Sequence, residues 1–134
     1  MDEFSVNINA GNGYTVHIGS NLTAECGKII SQVVGKCRAA VVTDSNVEKL
    51  YLQPVMKSLE DAGFDPISFV FPAGESSKNL HVLSEILESF ADNGLTRSDI
   101  AIALGGGETG DITGFAAGVY MRGIKYVQIP TTLL

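Results

Sequence analysis

Hydrophobic residues alternate with polar ones near the start of the chain. The alternation covers residues 4–10 and 14–18, on either side of Gly11–Gly13. Because Asn and Gly accept the positive φ of tight turns, this pattern predicts a β-hairpin. A segment with apolar residues at helical spacing follows, with Asn21 as candidate N-cap and Gly35 after its end. We therefore expect a hairpin followed by an amphipathic helix.

From Ala39 onward, short apolar runs alternate with amphipathic segments. The predicted strands comprise residues 39–43, 66–71, 100–104 and 124–129. The predicted helices comprise residues 54–62, a segment marked by Leu83, Ile86, Leu87 and Phe90, and a last helix with Ile112, Phe115, Ala116 and Val119 on one face. Apolar strands between amphipathic helices imply a parallel sheet that is covered on both sides. We predict an α/β fold, a Rossmann-like parallel sheet with helices on both faces, preceded by the N-terminal β-hairpin.

Length and charge narrow the class of protein. The 134 residues fit one globular domain, and the formal net charge of -6 with nine scattered Lys and Arg argues against a nucleic-acid partner. The sequence starts without a basic leader and contains no apolar run of about 18 residues, so we expect a cytoplasmic protein with no membrane partner. Cys26 and Cys37 form no C-x-x-C pair, and we expect free thiols.

Polar or glycine-rich segments follow four of the predicted strands. They are Asp44–Asn46, Gly74–Lys78, Gly105–Asp111 and Thr131–Thr132. In an open parallel sheet, the carboxyl ends of the strands lie at one edge, and ligands bind there. The sequence therefore predicts a single binding site to which four strand ends contribute.

The glycine-rich segment is the most specific of the four. Gly105, Gly107 and Gly110 fit G-x-G-x-x-G between a predicted strand and a predicted helix. Such a turn lets backbone N–H groups approach a pyrophosphate, and the helix N-terminus adds partial positive charge. A tight strand-to-helix connection without a ligand explains the same glycines. The pattern alone leaves both interpretations open.

The position of an acidic ribose ligand departs from the usual dinucleotide pattern. The glycine motif follows a late strand, and no carboxylate lies about 20 residues beyond it, where a ribose ligand is expected. Asp44, at an earlier strand end, is the candidate that pairs with ribose hydroxyls and rejects a 2'-phosphate. The alternative for Asp44 and Asn46 is helix capping.

Other residues near the glycine turn allow more than one role. Glu108 and Asp111 would repel a phosphate, so Asp111 either stabilises the helix start or accepts a hydrogen bond from a nicotinamide. Gly110, Gly114 and Gly118 recur every fourth residue, which predicts close approach by the sheet, a ligand or another subunit. Arg122 either binds a phosphate or complements the C-terminus of the helix.

Three runs of the sequence resemble one enzyme family. Gly105–Phe115, Tyr120–Gly123 and Gln128–Leu134, in this order and spacing, closely resemble 3-dehydroquinate synthase, and Thr43–Asn46 and Gly74–Lys78 match two further segments of it. The resemblance implies a lyase of the shikimate pathway that acts on a seven-carbon sugar phosphate. It also implies tightly held NAD, a divalent metal, zinc or cobalt, and a homodimer.

The resemblance also implies roles for individual residues. Asp44 and Asn46 would contact the adenosine ribose region. The dinucleotide site would further include Gly74, Glu75, Lys78, Gly106, Gly107, Glu108, Thr109, Gly110, Asp111, Thr131, Thr132 and Leu134. Arg122 would reach across the dimer interface to the substrate phosphate.

Two departures from the family pattern limit these expectations. Glu108 and Thr109 replace apolar residues that are common in the glycine run. The family's metal ligands, one Glu and two His, and its substrate-binding lysines lie beyond Leu134, which follows a buried strand directly. We therefore expect residues 1–134 to be an NAD-binding N-terminal domain that is inactive without a metal-binding C-terminal domain. The alternatives are another sugar-phosphate cyclase, a glycerol dehydrogenase relative and a stand-alone nucleotide-binding module.

Overall fold

The structure is a computed structural model that describes residues 4–8, 14–18, 22–74 and 80–131. Strands β1 (Phe4–Ile8) and β2 (Tyr14–Ile18) pair antiparallel, with Phe4 opposite Ile18. The predicted N-terminal hairpin is confirmed, and its turn lies outside the described residues. Helix α1 (Leu22–Ser31) follows, while its proposed cap, Asn21, also lies outside them.

The remaining elements alternate between strands and helices. In chain order they are β3 (Arg38–Asp44), α2 (Ser45–Val47), a π-helical segment (Glu48–Leu52), α3 (Gln53–Asp61), β4 (Asp65–Phe71), α4 (Leu80–Asp92), β5 (Ile100–Gly105), α5 (Gly107–Val119), a 3-10 turn (Tyr120–Arg122) and β6 (Lys125–Pro130). Four strands form one sheet in the order β4-β3-β5-β6, and all neighbours are parallel. The predicted α/β class with a parallel sheet is confirmed.

Helices cover both faces of this sheet. On one face, Val41 and Ile102 pack with residues of α1 and α3 such as Ile30 and Leu59. On the other face, Val42 packs with residues of α4 and α5. The central strands β3 and β5 are almost wholly buried, because each has a helical layer on both sides and a strand on both edges. The double-sided cover that the apolar runs indicated is present for β3 and β5. The expectation of a buried last strand is wrong, because β6 lies at the edge of the sheet and each of its residues is half-buried or exposed.

The helix after β3 begins earlier than predicted. It was expected over residues 54–62, but helical structure starts at Ser45 and continues to Asp61. Asp44 caps this start, and Pro54 lies in the first turn of α3, where its missing N–H costs little. Pro54, which was expected at the start of the helix, therefore lies inside a longer helical run.

The apolar face predicted for α5 is partly wrong. Ile112 and Ala116 are buried as expected, but Phe115 and Val119 are 59% and 49% exposed. The buried face instead contains small side chains, including Thr109 and Thr113. Since this helix lies very close to the sheet, small residues face inward and the larger ones lie on its outer side.

One carboxylate joins the amino ends of the two central strands. Asp99 accepts a hydrogen bond from the backbone N–H of Arg38 at 2.8 Å through Oδ1 and from that of Thr96 at 2.7 Å through Oδ2. The side chain is almost fully buried. These donors satisfy both carboxylate oxygens, so the amino ends of β3 and β5 are joined by internal hydrogen bonds.

No helix among the residues that the structure describes has the length and hydropathy needed to cross a membrane.

Close packing of α1 on α3 yields a stability test. A Cβ on Gly27 would overlap the carbonyl oxygen of Ser58, so Gly27→Ala must push the helices apart. We expect a loss of about 2 kcal/mol in the free energy of unfolding, measured by urea denaturation. Gly35→Ala is the matched control, because a Cβ there meets nothing within 4 Å. Equal stability of the two variants would contradict the packing.

Candidate functional site

The carboxyl ends of the four parallel strands meet at one edge of the sheet. Asp44 of β3 is paired with Phe71 of β4, and Gly105 of β5 is paired with Pro130 of β6. The strands therefore end nearly level. Gly74, Gly106 and Thr131 follow these ends directly or within a few residues. The structure brings the described candidate residues of the four loops to the same edge.

The turn between β5 and α5 is very short. Gly106 alone separates the end of β5 from the start of α5. Gly105 has a φ of 153°, and a Cβ on it would lie 2.8 Å from Oγ1 of Thr109. The backbone N–H of Thr131 donates to the Gly105 carbonyl at 3.1 Å, which ties the loop after β6 to this turn. Residue 105 must therefore be glycine to make the turn.

The start of α5 leaves backbone donors available. The first N–H groups of a helix have no acceptor within the helix. Gly106 is the N-cap residue, and it makes no side-chain hydrogen bond to them. With the positive end of the helix dipole, these groups favour an anion. The positive potential at this end of the helix is thus supplied by the backbone.

A small cavity opens at this helix start. Its volume is about 110 Å³. Its described lining residues are Ala103, Gly105, Gly106, Gly107, Gly110, Gln128 and Pro130. Glu108 and Asp111 lie on the same helix turns and are exposed, so they add negative charge near the cavity. An anionic ligand would therefore depend on close contacts with N–H groups to offset the two carboxylates.

Asp44 caps the helix that follows its strand. Its Oδ1 accepts hydrogen bonds from the backbone N–H groups of Asn46 at 2.9 Å and Val47 at 2.8 Å. The capping alternative is therefore present in the structure. Both bonds use Oδ1, so capping leaves Oδ2 for a second role. The Asn46 side chain is exposed at the same loop.

Ser45 connects the loops after β3 and β4, a contact that sequence reasoning missed. Its hydroxyl oxygen accepts a hydrogen bond from the backbone N–H of Ala73 at 3.0 Å. Gly74 follows with a φ of 125°, a conformation that favours glycine. A serine after a strand is common, and the sequence carries no sign that it would bind the neighbouring loop.

Gly110, Gly114 and Gly118 form a glycine stripe along α5, and the first two of them face side chains of β6. A Cβ on Gly114 would lie 3.2 Å from the Tyr126 ring, and one on Gly110 would lie 2.5 Å from Nε2 of Gln128. Four helical residues rise about 6.0 Å, and two strand residues rise about 6.6 Å. Glycines four residues apart on α5 therefore lie opposite side chains two residues apart on β6. The partner is the sheet at Gly110 and Gly114, whereas a Cβ on Gly118 would meet nothing within 4 Å.

The Tyr126 hydroxyl fastens this contact. It donates to the carbonyl oxygen of Gly110 at 2.6 Å. Burial raises the pKa of the Tyr126 phenol above its ordinary value; of the two smaller influences, the hydrogen bond with Gln128 lowers the pKa and the charge of Asp111 raises it. The phenol therefore keeps its proton at neutral pH and remains a donor. Neither Tyr126 nor Gln128 was among the predicted site residues, although their alternate spacing opposite the glycines was a readable signal.

Arg122 lies at the other end of α5 from the glycine turn. The 13 residues of this helix extend about 20 Å. Arg122 is exposed and, with Met121, has a positive φ. The structure therefore does not bring Arg122 to the edge where the other described candidates meet. Four further candidates, Glu75, Lys78, Thr132 and Leu134, lie outside the described residues.

Comparison with known proteins identifies related sequences. Residues 68–134 match the family described as 3-dehydroquinate synthase N-terminal. A 3-dehydroquinate synthase of Clostridium acetobutylicum is 43% identical over 123 residues, which are 92% of this chain and 35% of that protein. The chain spans about a third of the length of the curated relatives that it matches.

Solved structures share the fold. A 2-deoxy-scyllo-inosose synthase, complexed with carbaglucose-6-phosphate, NAD+ and Co2+, superimposes with a TM-score of 0.84 at 22% identity, covering 96% of this chain and 35% of that one. A 2-epi-5-epi-valiolone synthase from Streptomyces hygroscopicus subsp. jinggangensis 5008, with NAD+ and Zn2+ bound, is 31% identical with a TM-score of 0.68, covering 77% of this chain and 29% of that one. The first likeness supports the fold alone.

Two neighbouring glycines test the geometry of the turn. Gly105→Ala should lower the free energy of unfolding by about 2 kcal/mol, because a side chain is strained at this φ and meets Thr109. Gly107→Ala should change it by less than about 0.5 kcal/mol, because a Cβ there meets nothing within 4 Å. Urea denaturation of both variants measures the difference. A tolerated alanine at residue 105 would show that the turn is formed differently.

Proposed function

Since this chain belongs to the 3-dehydroquinate synthase family, we propose that residues 1–134 form the NAD-binding N-terminal domain of such an enzyme. The full enzyme would convert 3-deoxy-D-arabino-heptulosonate 7-phosphate to 3-dehydroquinate and phosphate. The observation that carries the proposal is the uncapped start of α5, which opens into a cavity at the carboxyl edge of the sheet. Such an edge is where dinucleotides bind in parallel α/β folds.

In this proposal, two strand ends bind different parts of the dinucleotide. Backbone N–H groups of Gly107, Glu108 and Thr109 would bind the pyrophosphate, because they lie in the uncapped first turn of α5. Because these contacts come from the backbone, Glu108 and Thr109 are compatible with the role, and the N–H groups must offset the charge of Glu108. When bound, NAD would supply the acceptor and later the donor of a hydride. The chain's own contribution is to bind and orient it.

The loop after β3 suits the adenosine ribose. Oδ2 of Asp44 is not used in capping, and a carboxylate oxygen accepts hydrogen bonds from ribose hydroxyls. The same charge would repel a 2'-phosphate. Asn46, Gly74 and Thr131 lie at the same edge of the sheet and would bound the site. Asp111 would accept a hydrogen bond near the nicotinamide, and Glu75, Lys78, Thr132 and Leu134 stay predictions from the resemblance.

The metal of the family does not fit the part of the chain that the structure describes. No group of three or more His, Cys, Asp or Glu side chains is placed to hold a metal ion among these residues. The 2-deoxy-scyllo-inosose and 2-epi-5-epi-valiolone synthases hold Co2+ and Zn2+, respectively. We propose that a separate C-terminal domain holds the zinc or cobalt, and that residues 1–134 alone bind cofactor without turnover.

Two further features belong to the proposal for the full protein. Arg122, distant from the glycine turn, would reach the substrate phosphate of a neighbouring subunit in a cytoplasmic homodimer. The specific reaction is favoured over that of another cyclase by identity. Curated 3-dehydroquinate synthases reach 43% to 46% identity with this chain, whereas the 2-epi-5-epi-valiolone synthase has 31%.

Two variants of Asp44 separate ribose binding from helix capping. Asp44→Asn keeps a capping oxygen, so the free energy of unfolding should be unchanged. The loss of charge should weaken NAD binding about ten-fold and reduce the preference for NAD over NADP. Asp44→Ala should weaken NAD binding to a similar extent and should also lower the free energy of unfolding by about 1 kcal/mol. Calorimetry with both dinucleotides and urea denaturation give the two readouts.

The outcomes distinguish the roles of Asp44. Unchanged NAD affinity in Asp44→Asn would leave Asp44 as a helix cap alone. If the folded wild-type chain failed to bind NAD, the cofactor assignment itself would be wrong.

A further inference from the structure

We propose that Gln128 contacts the phosphates of the dinucleotide, with its side-chain amide as a hydrogen-bond donor at the glycine turn. The inference rests on the proposed function and deepens it, because it names a residue of the site to which the family resemblance gave no role. Tyr126 is a positioning residue that orients this amide.

The lining of the cavity carries the inference. Among the described residues that line it, five are glycine or alanine and one is proline, so Gln128 is the one with a polar side chain. No lysine or arginine lines it in the described part of the chain. An anion in this cavity would meet backbone N–H groups on the α5 side and the Gln128 amide on the β6 side.

The strand register places Gln128 there. It is paired with Ala103, two residues before the pair of Pro130 with Gly105. Side chains alternate along a strand, so residues 126, 128 and 130 share the face that α5 covers. Both Gln128 and Pro130 line the cavity, and the Gln128 side chain remains exposed to a ligand.

Tyr126 holds the amide in a defined orientation. The Tyr126 hydroxyl uses its hydrogen to bond the Gly110 carbonyl at 2.6 Å. The same hydroxyl and the Gln128 amide both lie against Gly110, where a Cβ would be 3.6 Å from the hydroxyl oxygen and 2.5 Å from the amide nitrogen. In the proposed contact the hydroxyl, whose hydrogen is already used, accepts from the Gln128 amide. An amide nitrogen carries two hydrogens, so one N–H remains for a ligand. A Cβ on Gly110 would lie 2.5 Å from the amide nitrogen, so a larger residue there would displace the amide from this position.

A neutral donor suits the charges around this position. Glu108 and Asp111 are exposed on the first turns of α5. A lysine at residue 128 would pair with such carboxylates, whereas an amide forms weaker bonds with them and stays available to the phosphates. The same reasoning predicts that a carboxylate at residue 128 would repel the ligand.

Ligands of different charge test the contact. Gln128→Ala should raise the Kd of NAD and of ADP about ten-fold and leave that of adenosine unchanged, because adenosine has no phosphate. Gln128→Glu keeps the shape and should raise the first two by more than ten-fold. Gln32→Ala, an exposed glutamine after α1, is the matched control and should bind all three ligands like the wild type.

Two phenylalanine variants test the positioning role. Tyr126→Phe keeps the ring on Gly114 but removes the hydroxyl, and it should raise the Kd of ADP by about three-fold without affecting adenosine. Tyr120→Phe is its control, because the Tyr120 hydroxyl bonds the Leu95 carbonyl at 2.9 Å at the far end of α5. Thermal denaturation of each variant separates a lost contact from a lost fold.

Each result decides the proposal. ADP affinity equal to that of the wild type in both Gln128 variants would overturn the phosphate contact and leave the NAD assignment intact. Equal weakening of ADP and adenosine would also overturn it, since the effect would not depend on phosphate. If the folded wild type bound neither NAD nor ADP, this inference and the proposed function would both fail.

Discussion

The close approach of α5 to β6 is the constraint on which the candidate site depends. With no side chains at residues 110 and 114, the helix lies near enough for Tyr126 and Gln128 to pack against it. The Tyr126 hydroxyl then holds the first turn through the Gly110 carbonyl. Since that turn begins without a side-chain cap, the packing of two glycines also fixes the position of the helix start at which we propose that an anion binds.

Backbone N–H groups at the two edges of the sheet differ in their hydrogen-bond partners. At the amino edge, buried Asp99 accepts hydrogen bonds from two backbone N–H groups and joins the starts of β3 and β5. At the carboxyl edge, Gly106 leaves the start of α5 uncapped. Because unsatisfied backbone groups are unfavourable unless they meet water or a ligand, the start of α5 is the place at the carboxyl edge where we propose that a ligand binds.

Much of the architecture was predictable because it follows from local periodicity. The hairpin, the four parallel strands and the layers of helices on both faces are as the apolar pattern indicated. The limits of the helices were less predictable, since helical structure begins at Ser45 rather than near Pro54. Phe115 and Val119 lie outside the buried face of α5, because its closeness to the sheet admits mainly small residues there. Periodicity reports which residues are apolar but not how near two elements approach.

The sequence by itself determined the class of fold, the edge at which the strand ends meet and the glycines of the turn, since these depend on residue types at short spacing. The sequence also offered helix capping as one of two roles for Asp44, and the structure contains that cap. The tertiary structure alone decided that Tyr126 and Gln128 pack against Gly114 and Gly110 of α5. These contacts depend on strand register and on the distance between a helix and the sheet. Both are set by packing among segments far apart in the chain, so the spacing of the glycines indicated a close approach but left its partner open.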